Sequence, residues 1–431
     1  MRCLGSRPER ELLNVGTAVR VEKTLRAHGR SCDPALADET APDLVDLRHT
    51  RRCVSRATAL AQLLWWLGPW QGRAPEGVAR ESHVLRAGAA SGRLADEAGR
   101  VPGVRELRTY VYRPVGTPLG AYLVAPGLHF DGPDDPRLDR FCRILAHAGF
   151  VVAAPRLPGY LDLSVDPSVA DDLELVGRAL ASWLPEPEKI TVFSISFGSW
   201  PALEFAARAP DLVDAVVLFG GFASLGAAFR YCVRGELELP SGTVAGPRDP
   251  LNSAALFLNL LPFLDEPGAD DPALGAALRA LCYRTWGKME LKAPGRLLPH
   301  ALAVADTLPG ELRPLFLMCA GVHAGTHDLA EAALPQAMAA LSFAEPDEAI
   351  RALSRPVVIC HGRDDDVIPY TEAHRLREKL AKNVAVRVLL TGLFGHTAVE
   401  RVGPTAVARE ASTLLQIART LAAGGAVRRT F

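Results

Sequence analysis

The chain is 431 residues long, too long for one small domain and long enough for a large catalytic domain carrying an insertion or extension. With 48% apolar and 23% charged residues it can bury a sizeable core, which excludes global disorder. Lys plus Arg (48) nearly balances Asp plus Glu (49), so the chain as a whole lacks the positive field that draws nucleic acid, and a small molecule is the expected partner.

Residues 1–80 are rich in Arg and Ala and show no strand pattern, which predicts an N-terminal helical extension. The opening MRCLGSRPERELLNVG lacks the basic stretch, apolar core and small-residue cleavage site of a secretory signal. Within the extension, ATALAQLLWWLGPW (57–70) is apolar and follows Arg48, Arg51, Arg52 and Arg56. It is shorter than the roughly 20 residues a bilayer span needs. A helix docked on the core or on a cap is the first reading, and a membrane-surface contact through Trp65, Trp66 and Trp70 is the second.

Residues 81–222 alternate strands with helices. VRELRTYVYRP (104–114) has the period of two of a half-exposed strand, whereas GAYLVAPG (120–127) and FVVAAPRL (150–157) are continuous apolar runs of the buried, parallel kind. Between the latter two, Leu138, Phe141, Cys142 and Leu145 recur at helical spacing up to Gly149. The pattern repeats with a helix over 171–184, a strand over 189–196, a helix over 199–209 and a strand over 212–222. From 223 to 350 the alternation gives way to apolar helical stretches at 253–264, 271–287 and 327–344, which predict an inserted, mainly helical cap. PLFLMCAG (314–321) fits helix or strand equally. The alternation resumes over 351–431, with a strand at 355–362, a helix at 371–382, a strand at 384–390 and a last helix at 404–422.

Eight cysteines, at positions 3, 32, 53, 142, 232, 282, 319 and 360, include no CxxC pair and have no histidine at zinc-ligand spacing. They read as isolated, mostly buried thiols of a reducing, cytoplasmic setting, and no metal is expected.

The apolar strand ITVFSI runs into Ser196, Phe197 and Gly198 and then directly into a helix, the geometry of a nucleophile elbow. Small residues two before and two after the serine let so sharp a turn pack, and here they are Ser194 and Gly198. The usual G-x-S-x-G is thus SISFG, and Ser194 reads as structural because its own second neighbour is Ser196. Asp365 follows at the carboxyl end of the strand PVVIC, within HGRDDDVIP, flanked by Asp364 and Asp366. His396 follows the next strand within TGLFGHTAVE, so the chain order is Ser, acid, His.

On these motifs the chain resembles the α/β-hydrolase superfamily over roughly 81–222 and 351–431, with the cap outside the resemblance. APGLHFDG (125–132) and APRLPGY (154–160) are similar to the family's loops after its third and fourth strands. The resemblance implies an α/β fold with a mostly parallel sheet flanked by helices, a Ser196–His396–Asp365 triad, and an oxyanion hole made by the amides of Leu128 and Phe197. It requires no cofactor. His129 either points at the site or packs beneath its loop. The expected function is a serine hydrolase that cleaves an ester or related acyl bond of a small, partly apolar substrate through an acyl-enzyme. Two other readings are a non-catalytic binding protein on the same fold and a peripheral membrane lipid hydrolase; amide, lactone and carbon–carbon bond cleavage also occur on folds of this kind.

Overall fold

Strands buried on both faces must sit inside a sheet covered by helices, and those half exposed must sit towards its edge. A computed structural model of the chain describes residues 54–68, 71–87, 105–184, 189–392 and 404–425. Among them, β3 (Ala121–Ala125) and β4 (Val151–Pro155) are buried at every position, and β2 (Arg105–Arg113) alternates in its first half. With β1 (Ala79–Ala87), β5 (Ile190–Ile195), β6 (Val213–Phe219), β9 (Val357–Gly362) and β10 (Val386–Thr391) they form an eight-stranded sheet of order β1-β2-β4-β3-β5-β6-β9-β10. β2 runs antiparallel to β1 and β4, and the remaining pairs are parallel.

β1 corrects the expectation that no strand begins before residue 81. Its sequence ARESHVLRA turns His83 and Leu85 inward, and its register with β2 pairs Ala79 with Arg113 and Ala87 with Arg105. A charged edge strand lacks the apolar signal from which its neighbours were read, and charges there discourage edge-to-edge association.

Helices cover both faces. On one, α1 (Arg56–Leu67), α2 (Pro136–His147) and α14 (Pro404–Ala422) bury Leu63, Ile144 and Ile417 against Tyr122, Val152 and Val358 of the sheet. The run at 57–70 therefore docks on the core: Trp66 meets the His147 ring edge-on at 5.7 Å, while Trp65 keeps 58% of its surface exposed. Trp70 lies outside the described residues. On the other face, α4 (Ser168–Trp183), α5 (Ser199–Arg208) and α13 (Thr371–Leu380) pack Val176, Phe205 and Leu376 against Leu123, Val192 and Ile359. A single turn of helix, α3 (Pro158–Leu161), follows β4.

The chain between β6 and β9 holds α6 (Leu225–Arg234), α7 (Ser253–Leu260), α8 (Pro272–Thr285), α9 (Leu298–Ala305), α10 (Arg313–Cys319), α11 (Thr326–Ala340) and α12 (Asp347–Ala352). The ambiguous run at 314–321 is thus helical, with Pro314 in the first turn, where its missing N–H leaves nothing unpaired. This stretch also contains a hairpin that the loss of alternation did not predict, β7 (Glu236–Leu239) paired with β8 (Gly242–Ala245). Its apolar cluster reaches Tyr160, Phe197 and Val367 at the carboxyl edge of the sheet, so these helices lie over the elbow. The described cysteines, Cys142, Cys232, Cys282, Cys319 and Cys360, are all free and buried, and no described helix is long and apolar enough to cross a membrane.

Candidate active site

β5 delivers Ser196 at φ +53°, one of two non-glycine residues with left-handed backbone among the described residues. Such a conformation costs about 1–2 kcal/mol, so it persists only where packing imposes it. Ser196 to Gly198 make a single 3-10 turn that leads straight into α5, and the Ser199 amide donates to the Ser196 carbonyl. Gly198 explains the turn. A Cβ there would lie 2.5 Å from the Pro126 carbonyl oxygen and 2.6 Å from that of Ala125, closer than any side chain tolerates. Two residues before Ser196, Ser194 is fully buried between Ala125 of β3 and Leu218 of β6, and its hydroxyl has no partner among the described residues.

The loop after β3 runs beside Ser196. A Cβ at Gly127 would lie 3.3 Å from the Ser196 Cβ, so Leu128 is the next residue on a segment that already touches the elbow. His129 does both things its position allows. It lines the cavity, and it packs, stacked on Phe130 at 4.4 Å and tilted against Trp286 at 5.4 Å, with Nδ1 accepting the Asp131 amide at 3.1 Å. Burial lowers its pKa, opposed by Asp135. His129, Asp131 and Asp135 bring potential ligand atoms within 4.8 Å of one another. Asp135 is already held by Arg137, through a 2.7 Å contact from its Nη2, and by the Arg137 amide, so these groups are engaged with partners of their own.

Of the three consecutive aspartates after β9, Asp364 is exposed, Asp366 half-buried and Asp365 buried at 3%. Asp365 Oδ1 accepts the amides of Val367 and Ile368 at 2.9 and 2.8 Å. Its Oδ2 lies 3.4 Å from Nε2 of His361, a fully buried residue of β9 whose Nε2 is also 2.9 Å from the Ile368 carbonyl oxygen. His361 was not singled out from the sequence, although it stands directly before the glycine that ends the strand. Register aligns Ile195 with Phe219 and Phe219 with Cys360, so β5 and β9 are separated by β6 alone, about 10 Å across the sheet. His396 lies outside the described residues.

Above Ser196 opens a cavity of about 630 Å3, within the size range of small-molecule sites. Phe229, Leu251, Leu256 and Trp286 bring apolar surface from the overlying helices, and Lys292 and Asp249 supply charge. Lys292 Nζ is 2.9 Å from Asp249 Oδ2 and also pairs with Asp366 Oδ2. Burial pushes the Asp249 carboxyl up, and the Lys292 ammonium opposes that shift. The same helices grip the loop bearing Asp365 at two further points: Asp249 donates its amide to the Asp366 carbonyl at 2.9 Å, and the Tyr231 hydroxyl donates to the Asp365 carbonyl at 3.2 Å.

This strand order, with a left-handed serine between the fifth strand and its helix and an acid beyond the seventh strand in chain order of the same sheet, defines the α/β-hydrolase fold. Among solved structures, the chain is similar to the rice cell wall degrading esterase LipA from Xanthomonas oryzae at 14% identity, with 84% of this chain and 94% of that one covered and a TM-score of 0.46. It is also similar to brefeldin A esterase, a bacterial homologue of human hormone sensitive lipase, at 17% identity over 87% of each chain and a TM-score of 0.41. For the Pyrococcus horikoshii acylaminoacyl peptidase the figures are 10% identity, 76% of this chain, 41% of that one and a TM-score of 0.38. No protein-family model and no curated protein matches the chain. Likenesses this distant carry no argument about chemistry, which rests on the chain's own residues.

Proposed function

We propose that the protein is a serine hydrolase acting on an ester or related acyl bond of a neutral, partly apolar small molecule. The observation that carries this reading is Ser196, held at φ +53° on a strand-to-helix turn and lining a cavity of about 630 Å3. A strained backbone of this kind costs stability, and its use is to lift the hydroxyl clear of the main chain.

In this mechanism His396 takes the Ser196 proton, Asp365 orients the imidazole, and the alkoxide attacks the substrate carbonyl. The leaving alcohol departs with a proton from His396, and water then releases the acyl group by the same steps in reverse. Two amide donors on Asp365 Oδ1 fix the orientation of this side chain, as an orienting acid requires. A gap of about 10 Å between β5 and β9 leaves room for an imidazole between hydroxyl and carboxylate. The amides of Leu128 and Phe197 take the oxyanion, each such donor being worth about 3 kcal/mol of barrier. The partly apolar substrate fits the apolar surface of Phe229, Leu251, Leu256 and Trp286, and the Lys292 and Arg137 charges beside it are each paired with carboxylates.

The test is labelling with a fluorophosphonate probe, which reacts with activated serines alone, followed by a panel of p-nitrophenyl esters. Wild type is expected to label at Ser196 and to turn over at least one ester, with both activities lost in Ser196→Ala. Equal rates from the two proteins sink the proposal.

A further inference from the structure

The described residues contain two non-glycine positions with left-handed backbone, Ser196 at φ +53°, which lines the cavity, and Leu163 at φ +57°, whose carbonyl is bonded by Asn259, another residue of the cavity wall. Leu163 lies in the loop after α3, and two independent sets of hydrogen bonds hold that loop. From the cap side, Asn259 of α7, itself lining the cavity, donates Nδ2 to the Leu163 carbonyl at 2.9 Å and accepts the Val165 amide on Oδ1 at 2.8 Å. Its Nδ2 is anchored on its own helix by the Ala255 carbonyl at 2.9 Å. Towards the core, the Leu163 amide donates to the Tyr160 carbonyl at 3.2 Å, and the Tyr160 hydroxyl donates to the carbonyl of Phe197 at 2.8 Å.

Phe197 is the residue directly after the nucleophile. Its carbonyl is gripped by a phenol that is 1% exposed, in a segment whose other end is stitched to the cap. Asn259 is 8% exposed, so neither bond is exchanged readily for one with water. The Phe197 N–H belongs to the peptide before the pinned carbonyl, one Cα away, so fixing the Phe197–Gly198 peptide limits rotation at Phe197 and with it the aim of that N–H; misplacement by a fraction of an ångström weakens a preorganised donor.

We infer that Tyr160 and Asn259 are positioning residues for the oxyanion hole, and that through them the cap helix α7 restrains the backbone at Phe197, whose amide is one of the two donors. This rests on the hydrolase reading above. It adds that the cap acts on catalysis through hydrogen bonds as well as by walling the cavity.

The experiment compares wild type, Tyr160→Phe, Asn259→Ala and the double variant on a p-nitrophenyl ester and on its thiono counterpart, in which sulfur replaces the carbonyl oxygen. Circular dichroism and thermal midpoints are measured to establish that each is folded. Tyr160→Phe keeps the ring and removes only the hydroxyl, so a roughly tenfold loss of kcat is expected with KM within about twofold, a fraction of what deleting an oxyanion donor costs. The rate advantage of oxo over thiono ester should shrink in both single variants, since sulfur draws less from amide donors; a purely structural role leaves that ratio unmoved. The double variant should be no slower than Tyr160→Phe, because members of one chain are non-additive. A Tyr160→Phe protein with wild-type kcat and an unchanged oxo-to-thiono ratio overturns the inference while leaving the hydrolase reading intact, as do losses that multiply. A wild type that neither labels nor hydrolyses brings down both.

Discussion

Gly198 and Ser194 flank Ser196 at equal sequence distance and meet opposite constraints. Gly198 faces two backbone carbonyl oxygens at 2.5 and 2.6 Å from where a Cβ would stand, and a main chain cannot step aside as a side chain can. Gly198→Ala is therefore expected to lower stability by about 1–3 kcal/mol, read as a reduced urea midpoint, and to abolish any activity by forcing the turn apart. Ser194 has space for its Cβ and leaves a buried hydroxyl without a partner among the described residues. Ser194→Ala removes that unpaired group, so the urea midpoint should stay put or rise. A large drop for Ser194→Ala would mean that the hydroxyl is bonded in solution. This asymmetry explains why the sequence departs from the usual glycine before the serine and keeps the one after it.

The stretch over the elbow consists of elements tied to the sheet by charge as well as by apolar contact. Lys292, from the short 3-10 turn Met289–Lys292, bridges Asp249, 2% exposed, and Asp366, next to Asp365. Removing the cation leaves a buried carboxylate without its neutralising partner, a change that costs far more than the pair itself contributes. Lys292→Met should therefore destabilise the fold by about 3 kcal/mol, whereas Lys288→Met, at an exposed position four residues earlier, should fall within about 0.5 kcal/mol. Chemical denaturation of the two variants side by side decides the matter; equal midpoints would show that the bridge is incidental. Asp366 was noted in the sequence only as a neighbour of Asp365, and Lys292 and Asp249 did not stand out, because a lysine and two aspartates separated by 43 and 74 residues carry no local pattern.

At the scale of the whole molecule, the helix read from the tryptophan-rich run closes one face of the sheet. Leu63 is fully buried among residues of α2 and α14, Arg56 Nη1 donates to the Ala422 carbonyl at 3.1 Å, and Arg140 of α2 reaches the Gln71 carbonyl at 2.6 Å. The first described segment thus bonds to the last. Leu63→Ala is expected to cost about 2–5 kcal/mol, measured by denaturant midpoint at unchanged slope. A cost near zero would mean that α1 rests on the surface without supporting the core.

How much was legible follows from range. Strand and helix order through β2 to β6 and again from β9 onward was set by hydrophobic period, a property of adjacent residues, and so were the turn at Ser196 and the acid after β9. The charged edge strand β1 and the β7–β8 hairpin escaped because most of their side chains face water, and the few buried ones, Leu85 and Leu237 among them, leave only a faint apolar trace. What the sequence by itself determined is which residue types stand at the ends of which strands. Tertiary structure alone decided that Asp365 of three aspartates is buried, that α1 docks on the core, and that Asn259 holds the loop after Tyr160 while Tyr160 holds the Phe197 carbonyl, since those contacts join positions that only the folded sheet brings together.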